Sequence, residues 1–335
     1  MILAGDIGGT NTRLSFFEGT PDHLKPLSIE VFPSPQYKGP GEIIKKFLST
    51  HNHKVDAACF GLPGAVVDGK VQTPNLPWVV DSQQLASDLG LQRVELINDL
   101  FANAHGIAAL QDSDFVTLNA GANHHGNRAL ISAGTGLGEA GLLAEPNGYR
   151  PFPSEGGHAD FAPRTELEIE LLRYLMRKFE HVSFERVLSG PGLFNVYQFL
   201  RDTKRAEEPA WLADEIAHGD PSAAVAKSGL SGKADISVQT LDLFVSIYGA
   251  EAGNLALKVV ATGGVFIGGG IAPKIVEKLK GPAFMKAFSE KGRVAPLLAN
   301  IPVRVITNDK TALLGSGRVA AMQLHGHHGH TSQSA

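Results

Sequence analysis

The sequence contains the same short pattern twice: an apolar strand, a glycine loop that includes a threonine, and a second apolar strand. The first copy has Thr10 in its loop and the second has Thr135, 125 residues further along the chain. Strand-like segments alternate with amphipathic helical segments elsewhere, which predicts an α/β sheet covered on both faces. The pattern favours two related α/β halves, although two unrelated hairpins would give the same signal.

The predicted elements place each glycine loop between two strands. Strands over 2–4 and 12–17 flank the first loop, and strands over 129–133 and 140–144 flank the second. Side-chain caps are predicted at Asp81 and, with a capping-box partner three residues later, at Thr165. The other predicted strands are 27–32, 55–60, 94–97 and 303–306, and a strand followed by a loop is predicted over 262–270. The main predicted helices are 41–50, 82–89, 164–179, 241–260, 273–279 and 310–324, with a short helical stretch over 185–188.

Length, charge and cysteine content exclude several classes of protein. A chain of 335 residues suits about two domains of ~150 residues. Its net charge of −4 offers no basic surface for a nucleic-acid backbone. The single cysteine, Cys59, excludes an intrachain disulfide and a multi-cysteine zinc site. The start lacks the features of a signal peptide and the longest apolar stretch, 259–272, is rich in glycine, so we expect a cytoplasmic protein without a membrane span.

The first glycine loop, residues 8–11, follows Asp6 at the end of a predicted strand. Two adjacent glycines allow a tight turn in which backbone N–H groups can face an anion. A carboxylate at the strand end, Asp6, could hold a hydrated Mg²⁺. These residues alone slightly favour an ordinary hairpin turn in which Asp6 makes a local hydrogen bond.

Two further glycine clusters suit a nucleotide. The run 134–138 has the glycines and the hydroxyl group of a phosphate loop, and it formally matches a dinucleotide-binding fingerprint. That fingerprint requires a helix after the loop, whereas a hairpin is predicted here, so we reject a nicotinamide cofactor. The run 268–271 follows a predicted strand and could lie against an adenosine, although a flexible connection is a common alternative.

Polar residues next to these loops are candidates for a second substrate. Asn98 and Asp99 follow a predicted strand and precede a helix, where a capping role is common. Asp99 could instead accept the proton of a hydroxyl group, as the aspartate base of other phosphoryl transferases does. Glu155 and His158 lie three residues apart and could bind sugar hydroxyls, since a metal site would need further ligands. Glu185 is either such a ligand or a charge at a helix terminus.

Taken in order, these motifs resemble those of the bacterial glucokinase family, a group of actin-like sugar kinases. The resemblance extends from residue 2 to about residue 320, and seven motifs in one order make it specific. The matching runs are 5–11, 97–99, 134–138, 154–163, 185–192, 268–271 and 313–317.

The resemblance implies ATP-dependent phosphorylation of D-glucose at its 6-hydroxyl with Mg²⁺ and with Asp99 as the catalytic base. It implies that Asp6 holds the Mg²⁺ through water. The sugar-binding residues that it implies are Asn98, Asp99, Glu155, His158 and Glu185. The ATP-binding residues that it implies are Asp6, Gly8, Gly9, Thr10, Asn11, Gly134, Thr135, Gly136, Gly268, Gly269, Gly270 and Ile271.

The resemblance also implies an actin-like, ribonuclease H-like α/β fold of two domains with a cleft between them. The small domain would comprise residues 1–109 and 302–325, and the large domain residues 110–301. We expect a disordered tail over 326–335 and a homodimer. Relatives in the wider repressor and kinase family carry a cysteine-rich zinc motif, and its absence from this sequence predicts no structural zinc.

Two alternative functions remain compatible with the same motifs. One is a kinase for another hexose, such as mannose or glucosamine, because selectivity depends on the orientation of single hydroxyl groups. The other is a non-catalytic, sugar-binding regulator on the same scaffold. Such a regulator would need a DNA-binding helix pair ahead of the first loop, and we expect none because Asp6 stands so near the start.

Overall fold

The computed structural model describes residues 1–51, 53–74, 76–122 and 124–326. Its strands are β1 (Ile2–Ile7), β2 (Asn11–Thr20), β3 (His23–Pro33), β4 (Ala57–Leu62), β5 (Lys70–Gln72), β6 (Val79–Asp81), β7 (Glu95–Asn98), β8 (Phe115–Asn119), β9 (Arg128–Ala133), β10 (Leu137–Glu145), β11 (Gly148–Ser154), β12 (Gly264–Gly268) and β13 (Val303–Ile306). Its α-helices are α1 (Pro40–Thr50), α2 (Ser82–Leu89), α3 (Asp99–Gly106), α4 (Glu166–Leu175), α5 (Gly190–Asp202), α6 (Ala210–His218), α7 (Pro221–Leu230), α8 (Asp235–Val259), α9 (Val276–Leu279), α10 (Pro282–Ser289), α11 (Ala295–Ala299) and α12 (Thr311–Leu324).

The chain forms two compact units, each with its own sheet. The first unit comprises Met1–Asp112 and the chain from Asn308 onward, and the second comprises Ser113–Thr307. In the first unit the strand order is β3-β2-β1-β4-β7, with β1, β4 and β7 parallel and β2 and β3 antiparallel to their neighbours. The strands β5 and β6 form a separate small hairpin.

The second sheet repeats this arrangement. Its order is β11-β10-β9-β12-β13-β8, with β9, β12 and β13 parallel and the hairpin strands β10 and β11 antiparallel. An added strand, β8, pairs antiparallel with β13 at the far edge. The two halves inferred from the repeated glycine loop are therefore confirmed, and so is the predicted α/β class.

Helices cover both faces of the first sheet. The interior strand β4 is buried along its whole length, as expected for a parallel strand with helices on either side. On one face, α1 packs the Phe47 ring against Phe16 with 5.0 Å between the ring centroids. On the other face, Leu313 of α12 belongs to a cluster with Ile2 and Cys59, so the C-terminal helix completes the unit.

The core of the second unit is built around α8, a helix of 25 residues that is buried on most of its surface. Its Phe244 and Tyr248 rings pack against each other, and Tyr248 also contacts Phe284 of α10. The helix packs against β9 and β12 as well as against α5, α7 and α10. Apolar side chains on nearly all sides explain why it lies inside the unit rather than on its surface.

Three predicted helices differ in detail from the structure. The helix predicted over 164–179 ends at Leu175, and its cap Thr165 accepts the Glu168 N–H as expected. The helical stretch predicted over 185–188 is a single 3₁₀ turn, Phe184–Arg186. The helix predicted over 273–279 consists of a 3₁₀ turn, Ala272–Ile275, followed by α9. Strands β5, β6, β8 and β11 were not predicted.

Two further expectations concern the chain ends and its apolar segments. No helix within the described residues combines the length and the apolar character needed to cross a membrane. The tail expected to be disordered, 326–335, lies outside the described residues from position 327 onward.

Candidate functional site

In the first unit, the loop after β1 is a tight turn held from outside by a buried serine. The Gly8 N–H donates to the Asn11 carbonyl oxygen at 2.9 Å, which closes the turn between β1 and β2. The Ser34 hydroxyl donates to the Gly8 carbonyl at 2.7 Å, and the Ser34 N–H donates to the Thr10 carbonyl at 3.0 Å. Both sides of the turn are therefore fixed by one residue that follows β3.

Asn98 and Asp99 lie at the carboxyl end of β7, two strands away from β1 in the same sheet. Asn98 is the N-cap of α3, because its Oδ1 accepts from the Leu100 N–H at 2.9 Å and the Phe101 N–H at 3.3 Å. Its Nδ2 donates to the Gly64 carbonyl at 3.2 Å. The capping interpretation of Asn98 is confirmed, and one amide hydrogen is left for a ligand.

The Asp99 carboxyl is oriented by the first turn of α3. Its Oδ1 accepts from the Leu100 N–H at 2.8 Å. Burial raises the pKa of Asp99 above its usual range, and the backbone hydrogen bonds oppose this only in part. No ion pair to Asp99 is formed by the described residues. A partly buried carboxylate with a raised pKa is a stronger base than an exposed one.

Asp6 lies at the end of β1 among other charged groups of the first unit. Burial, opposed by Arg13 and aided by the nearby Asp99 and Asp309 carboxylates, raises the pKa of Asp6 to about 6. The Arg13 guanidinium lies 3.7 Å from Asp6 Oδ2 and donates to Asp309 Oδ2 at 2.8 Å. One guanidinium is thus shared by two carboxylates, and a third, Asp99, lies near Asp6, which leaves an excess of negative charge that suits a hydrated cation.

In the second unit, the glycine loop 134–136 lies between β9 and β10. The Gly134 N–H donates to the Gly136 carbonyl at 2.8 Å, and the Gly134 carbonyl accepts from the Gly190 N–H at 2.8 Å. Gly190 is the first residue of α5, so the positive end of that helix borders the loop. Thr135 is exposed at the tip. This arrangement favours an anion, and the predicted hairpin after the loop is confirmed.

Glu185 lies against the same loop rather than at the end of an α-helix. Its Oε2 accepts from the Leu137 N–H at 3.0 Å, and its carbonyl oxygen accepts from the Ser189 hydroxyl at 2.7 Å. The side chain is partly exposed. The structure therefore brings Glu185 together with the loop 134–136, which the spacing in the sequence could not show.

The run 268–271 borders this loop because β9 and β12 are parallel neighbours. Gly268 pairs with Ser132, and the Ile271 N–H donates to the Ala133 carbonyl at 3.2 Å. Gly269 has a φ of +83°, and a side chain there would place its Cβ only 2.2 Å from the Ala133 carbonyl oxygen. Only glycine fits this position, and its backbone, which carries no side chain, lies beside the loop 134–136.

Glu155 and His158 occupy the two ends of a short turn after β11. The turn includes the 3₁₀ residues Gly156–His158, and the His158 N–H donates to the Glu155 carbonyl at 3.0 Å. Glu155 Oε2 and His158 Nε2 are 4.0 Å apart, and both side chains are exposed. An adjacent carboxylate and imidazole can accept from and donate to neighbouring hydroxyl groups of one sugar ring.

Sequence reasoning missed three residues that shape the first unit's site. Ser34 braces the turn at Gly8, and Arg13 with Asp309 forms the charged group near Asp6. The register of the predicted hairpin contained a signal for one of them, because Arg13 stands directly opposite Asp6. Within the described residues, no group of three or more His, Cys, Asp or Glu side chains could hold a metal ion directly.

Known proteins match this chain over nearly its whole length. The family profile described as Glucokinase matches residues 3–323. The glucokinase of Nostoc sp. (strain PCC 7120) is 43% identical over 338 residues, which cover 96% of this chain and 99% of that protein. The crystal structure of a glucokinase from an Antarctic psychrotroph has a TM-score of 0.84 and 31% identity, covering 95% of this chain and 98% of that one.

A more distant structure shows the same fold. It is a ROK family glucokinase from Streptomyces griseus in complex with glucose and AMPPNP, with a TM-score of 0.66 and 20% identity. The match covers 95% of this chain and 98% of that one. These neighbours confirm the actin-like sugar-kinase fold that the sequence motifs predicted.

The Asn98→Ala variant should lose the cap of α3. The helix then keeps unpaired N–H groups in its first turn, so we expect the free energy of unfolding to fall by about 1 kcal/mol, within a range of about 0.5–2 kcal/mol. Urea denaturation followed by circular dichroism measures the loss. Asn98→Ser retains a capping oxygen and should lose only part of it, and equal stability of the alanine variant and the wild type would contradict the capping role.

Proposed function

Because this chain belongs to the glucokinase family, we propose that it phosphorylates D-glucose at the 6-hydroxyl with ATP as donor and Asp99 as general base. The family match over nearly the whole chain carries the reaction class. The observation that supports the base is the Asp99 carboxyl, which a backbone N–H orients and whose pKa burial raises.

The reaction that these residues would serve is an in-line phosphoryl transfer. The 6-oxygen of glucose forms a bond to the γ-phosphorus while the bond from that phosphorus to the bridging oxygen of ADP breaks. The proton of the 6-hydroxyl passes to Asp99, so the products are glucose 6-phosphate and ADP. Little covalent chemistry is asked of the protein, and its contribution is positioning and charge stabilisation.

The sugar-binding set comprises Asn98, Glu155, His158 and Glu185 in addition to Asp99. The free amide hydrogen of Asn98 can donate to a hydroxyl oxygen, since its Oδ1 is committed to the helix cap. Glu155 and His158 act as one pair, 4.0 Å apart. Glu185 Oε2 accepts from the loop amide of Leu137, which leaves the other carboxylate oxygen for a sugar hydroxyl.

The ATP-binding residues belong to the three glycine runs. Gly8, Gly9, Thr10 and Asn11 form one phosphate loop, and Gly134, Thr135 and Gly136 form the other. The support is the backbone geometry of these two loops: each is a tight turn between antiparallel strands, and the second borders the N-terminus of α5. The run Gly268, Gly269, Gly270 and Ile271 would lie along the adenosine, because a side chain at Gly269 has no room.

Mg²⁺ would be held through water by Asp6. The fit rests on the surroundings of this residue, where burial is the main cause of its raised pKa, Arg13 opposes the shift, and the Asp99 and Asp309 carboxylates add to it. When bound, the ion supplies positive charge to the phosphate oxygens of the nucleotide. Asp6 itself would orient the ion's water shell and need not be a direct ligand.

The resemblance to the family further supports a homodimer that acts in the cytoplasm and delivers glucose 6-phosphate to glycolysis. Glucose and ATP are the proposed small-molecule partners. The AMPPNP and glucose in the Streptomyces griseus neighbour support both ligands by analogy of fold.

Assays of ADP formation test the reaction and its selectivity. We expect the highest kcat/KM with glucose and ATP, lower values with mannose or glucosamine, and loss of activity when EDTA removes Mg²⁺. Polyphosphate and ADP should be poor donors. A kcat/KM more than tenfold higher for another hexose would show that this hexose, and not glucose, is the substrate. Failure to phosphorylate any hexose would reject the kinase assignment.

The Asp99→Asn variant should lose at least about 100-fold in kcat, because a positioned general base contributes roughly 10²–10⁴-fold. The amide keeps the size of the carboxyl group, so the KM for glucose should change less than kcat does. Asp81→Asn is the matched control, since Asp81 caps α2 and asparagine caps equally well. Turnover within threefold of the wild type in the Asp99 variant would show that another group takes the proton.

The Glu155→Gln and His158→Ala variants should chiefly raise the KM for glucose, with kcat less affected. Loss of one hydrogen bond that leaves a polar partner unpaired costs about 1–3 kcal/mol, which corresponds to a KM increase of roughly 5- to 150-fold. Glu180→Gln and His218→Ala are controls at exposed positions in the same unit. Saturation curves equal to those of the controls would remove both residues from the sugar site.

A further inference from the structure

Glu139 is a fully buried carboxyl group on β10, one residue beyond the glycine run 134–138. Its side chain has no exposure to solvent. In the sheet it pairs with Ile131 on one side and Ser154 on the other. Neither of its carboxylate oxygens has a hydrogen-bond donor among the described residues. A buried anion in this state is costly, so the group requires either a partner or a proton.

The carboxyl group lies directly beneath the turn that carries Glu155 and His158. A Cβ placed on Gly156 would come within 2.0 Å of Glu139 Oε2, so the backbone of the turn rests on the carboxyl oxygen. The Gly156 N–H is already used, because it donates to the Ser154 hydroxyl at 3.0 Å. The Glu139 carboxyl group and the turn that contains Gly156 are therefore in close contact.

A second buried carboxylate, Glu251 of α8, lies next to Glu139 and is satisfied as an anion. Glu251 has no exposure to solvent, and its oxygens accept from Asn254 Nδ2 at 2.7 Å and from Lys258 Nζ at 3.1 Å. Lys291 Nζ supports the same group by donating to Asn254 Oδ1 at 2.5 Å. Of the two carboxyl groups, Glu251 has hydrogen-bond donors among the described residues and Glu139 has none.

A hydrogen bond between the carboxyl oxygens of Glu139 and Glu251 is possible only if Glu139 carries a proton. Two carboxylates repel and cannot hydrogen-bond to each other, whereas a protonated Glu139 can donate to Glu251. Burial is the main cause that raises the pKa of Glu139 to about 8, and the charge and hydrogen bond of Glu251 add to it. Lys258 opposes the shift.

Other titratable groups face this pair from the surrounding elements. Burial and the charge of Glu139 raise the pKa of Tyr248 on α8. Burial and, to a smaller extent, the Arg164 guanidinium lower the pKa of Lys291 to about 8. Arg164 is itself paired with Glu168 at 2.7 Å. Lys291 is the one group of this set that would titrate near Glu139, so a test must separate the two.

We propose that Glu139 is a positioning residue for sugar binding: it holds one proton, donates it to Glu251, and in this neutral form supports the turn that presents Glu155 and His158. This assignment rests on the proposed function for the sugar contacts of that turn. When Glu139 loses its proton, the two carboxylates repel and the support beneath Gly156 shifts. The affinity for the sugar then falls, whereas Asp99 on the other unit is left unaltered.

The kinetic test compares the wild type with Glu139→Gln between pH 6.5 and 9.5 at saturating ATP. In the wild type, the KM for glucose should rise roughly fivefold across this range, the size of one lost hydrogen bond, while kcat changes less than twofold. The glutamine can donate to Glu251 at every pH, so its KM should equal the wild-type value at pH 6.5 and stay constant. Glu145→Gln, at an exposed position on the same strand, should behave as the wild type.

Two kinetic results would overturn the proposal. If the KM of Glu139→Gln rises with pH as the wild type does, the titrating group is another one, such as Lys291. If Glu139→Gln loses kcat and affinity together at pH 6.5, the residue does more than support the turn.

A measurement of stability tests the proton without any activity. The folded wild type keeps the Glu139 proton from the ordinary carboxyl pKa of 4.5 up to about pH 8, whereas the unfolded chain releases it. The free energy of unfolding therefore falls as the pH rises from 4.5 to about 8, with a slope that corresponds to the release of one proton on unfolding. In Glu139→Gln the slope of the free energy of unfolding against pH should be less steep by about one proton. Identical slopes in the variant and the wild type would overturn the proposal that Glu139 holds a proton and donates it to Glu251. If the wild type phosphorylates no sugar, the proposed function is wrong. The pH dependence of the free energy of unfolding still shows whether Glu139 is protonated in the folded protein.

Discussion

Parallel pairing of strands that are distant in sequence determines where reactive residues can lie in this protein. In the first unit β1, β4 and β7 run parallel, so the chain leaves all three at one edge of the sheet. Asp6 and Asn98, 92 positions apart in the sequence, come to this edge for that reason alone. At such an edge the backbone ends its ladder of hydrogen bonds, and loop or helix N–H groups become available to ligands. The second unit repeats the device with β9 and β12.

The sequence could predict those parts of the fold that short-range hydrogen bonds encode. The Asp81 cap, the Thr165 cap and both glycine hairpins depend on residues within a few positions of each other, and all are present. The 3₁₀ turn at Phe184–Arg186 was predicted as a helical stretch because its composition suits a helix. Ser189 ends that possibility, since it caps α5 and so forces the chain to begin a new helix at Gly190.

The candidate site could be predicted as a set of residues but not as a geometry. Glycine runs and polar residues after strands gave the candidates, because their chemistry is visible in the sequence. Ser34 carries no such signal, since a serine after a strand is ordinary until the fold places its hydroxyl on Gly8. The Arg13–Asp309 pair spans 296 positions, and only the packing of the C-terminal segment in the first unit joins them.

Both units concentrate carboxyl groups near their sites, and they stabilise them in different ways. Around Asp6, burial is the main cause of the raised pKa; Arg13 opposes the shift, and the Asp99 and Asp309 carboxylates add to it. Next to Glu139, the Glu251 carboxylate accepts hydrogen bonds from Lys258 and Asn254. Lys291 acts indirectly, because it donates to Asn254. A second negative charge there would have no donor, so a proton is the cheapest neutralising group. The Asp6 side chain keeps 23% of its surface exposed to solvent, whereas the carboxyl groups of Glu139 and Glu251 have no exposure.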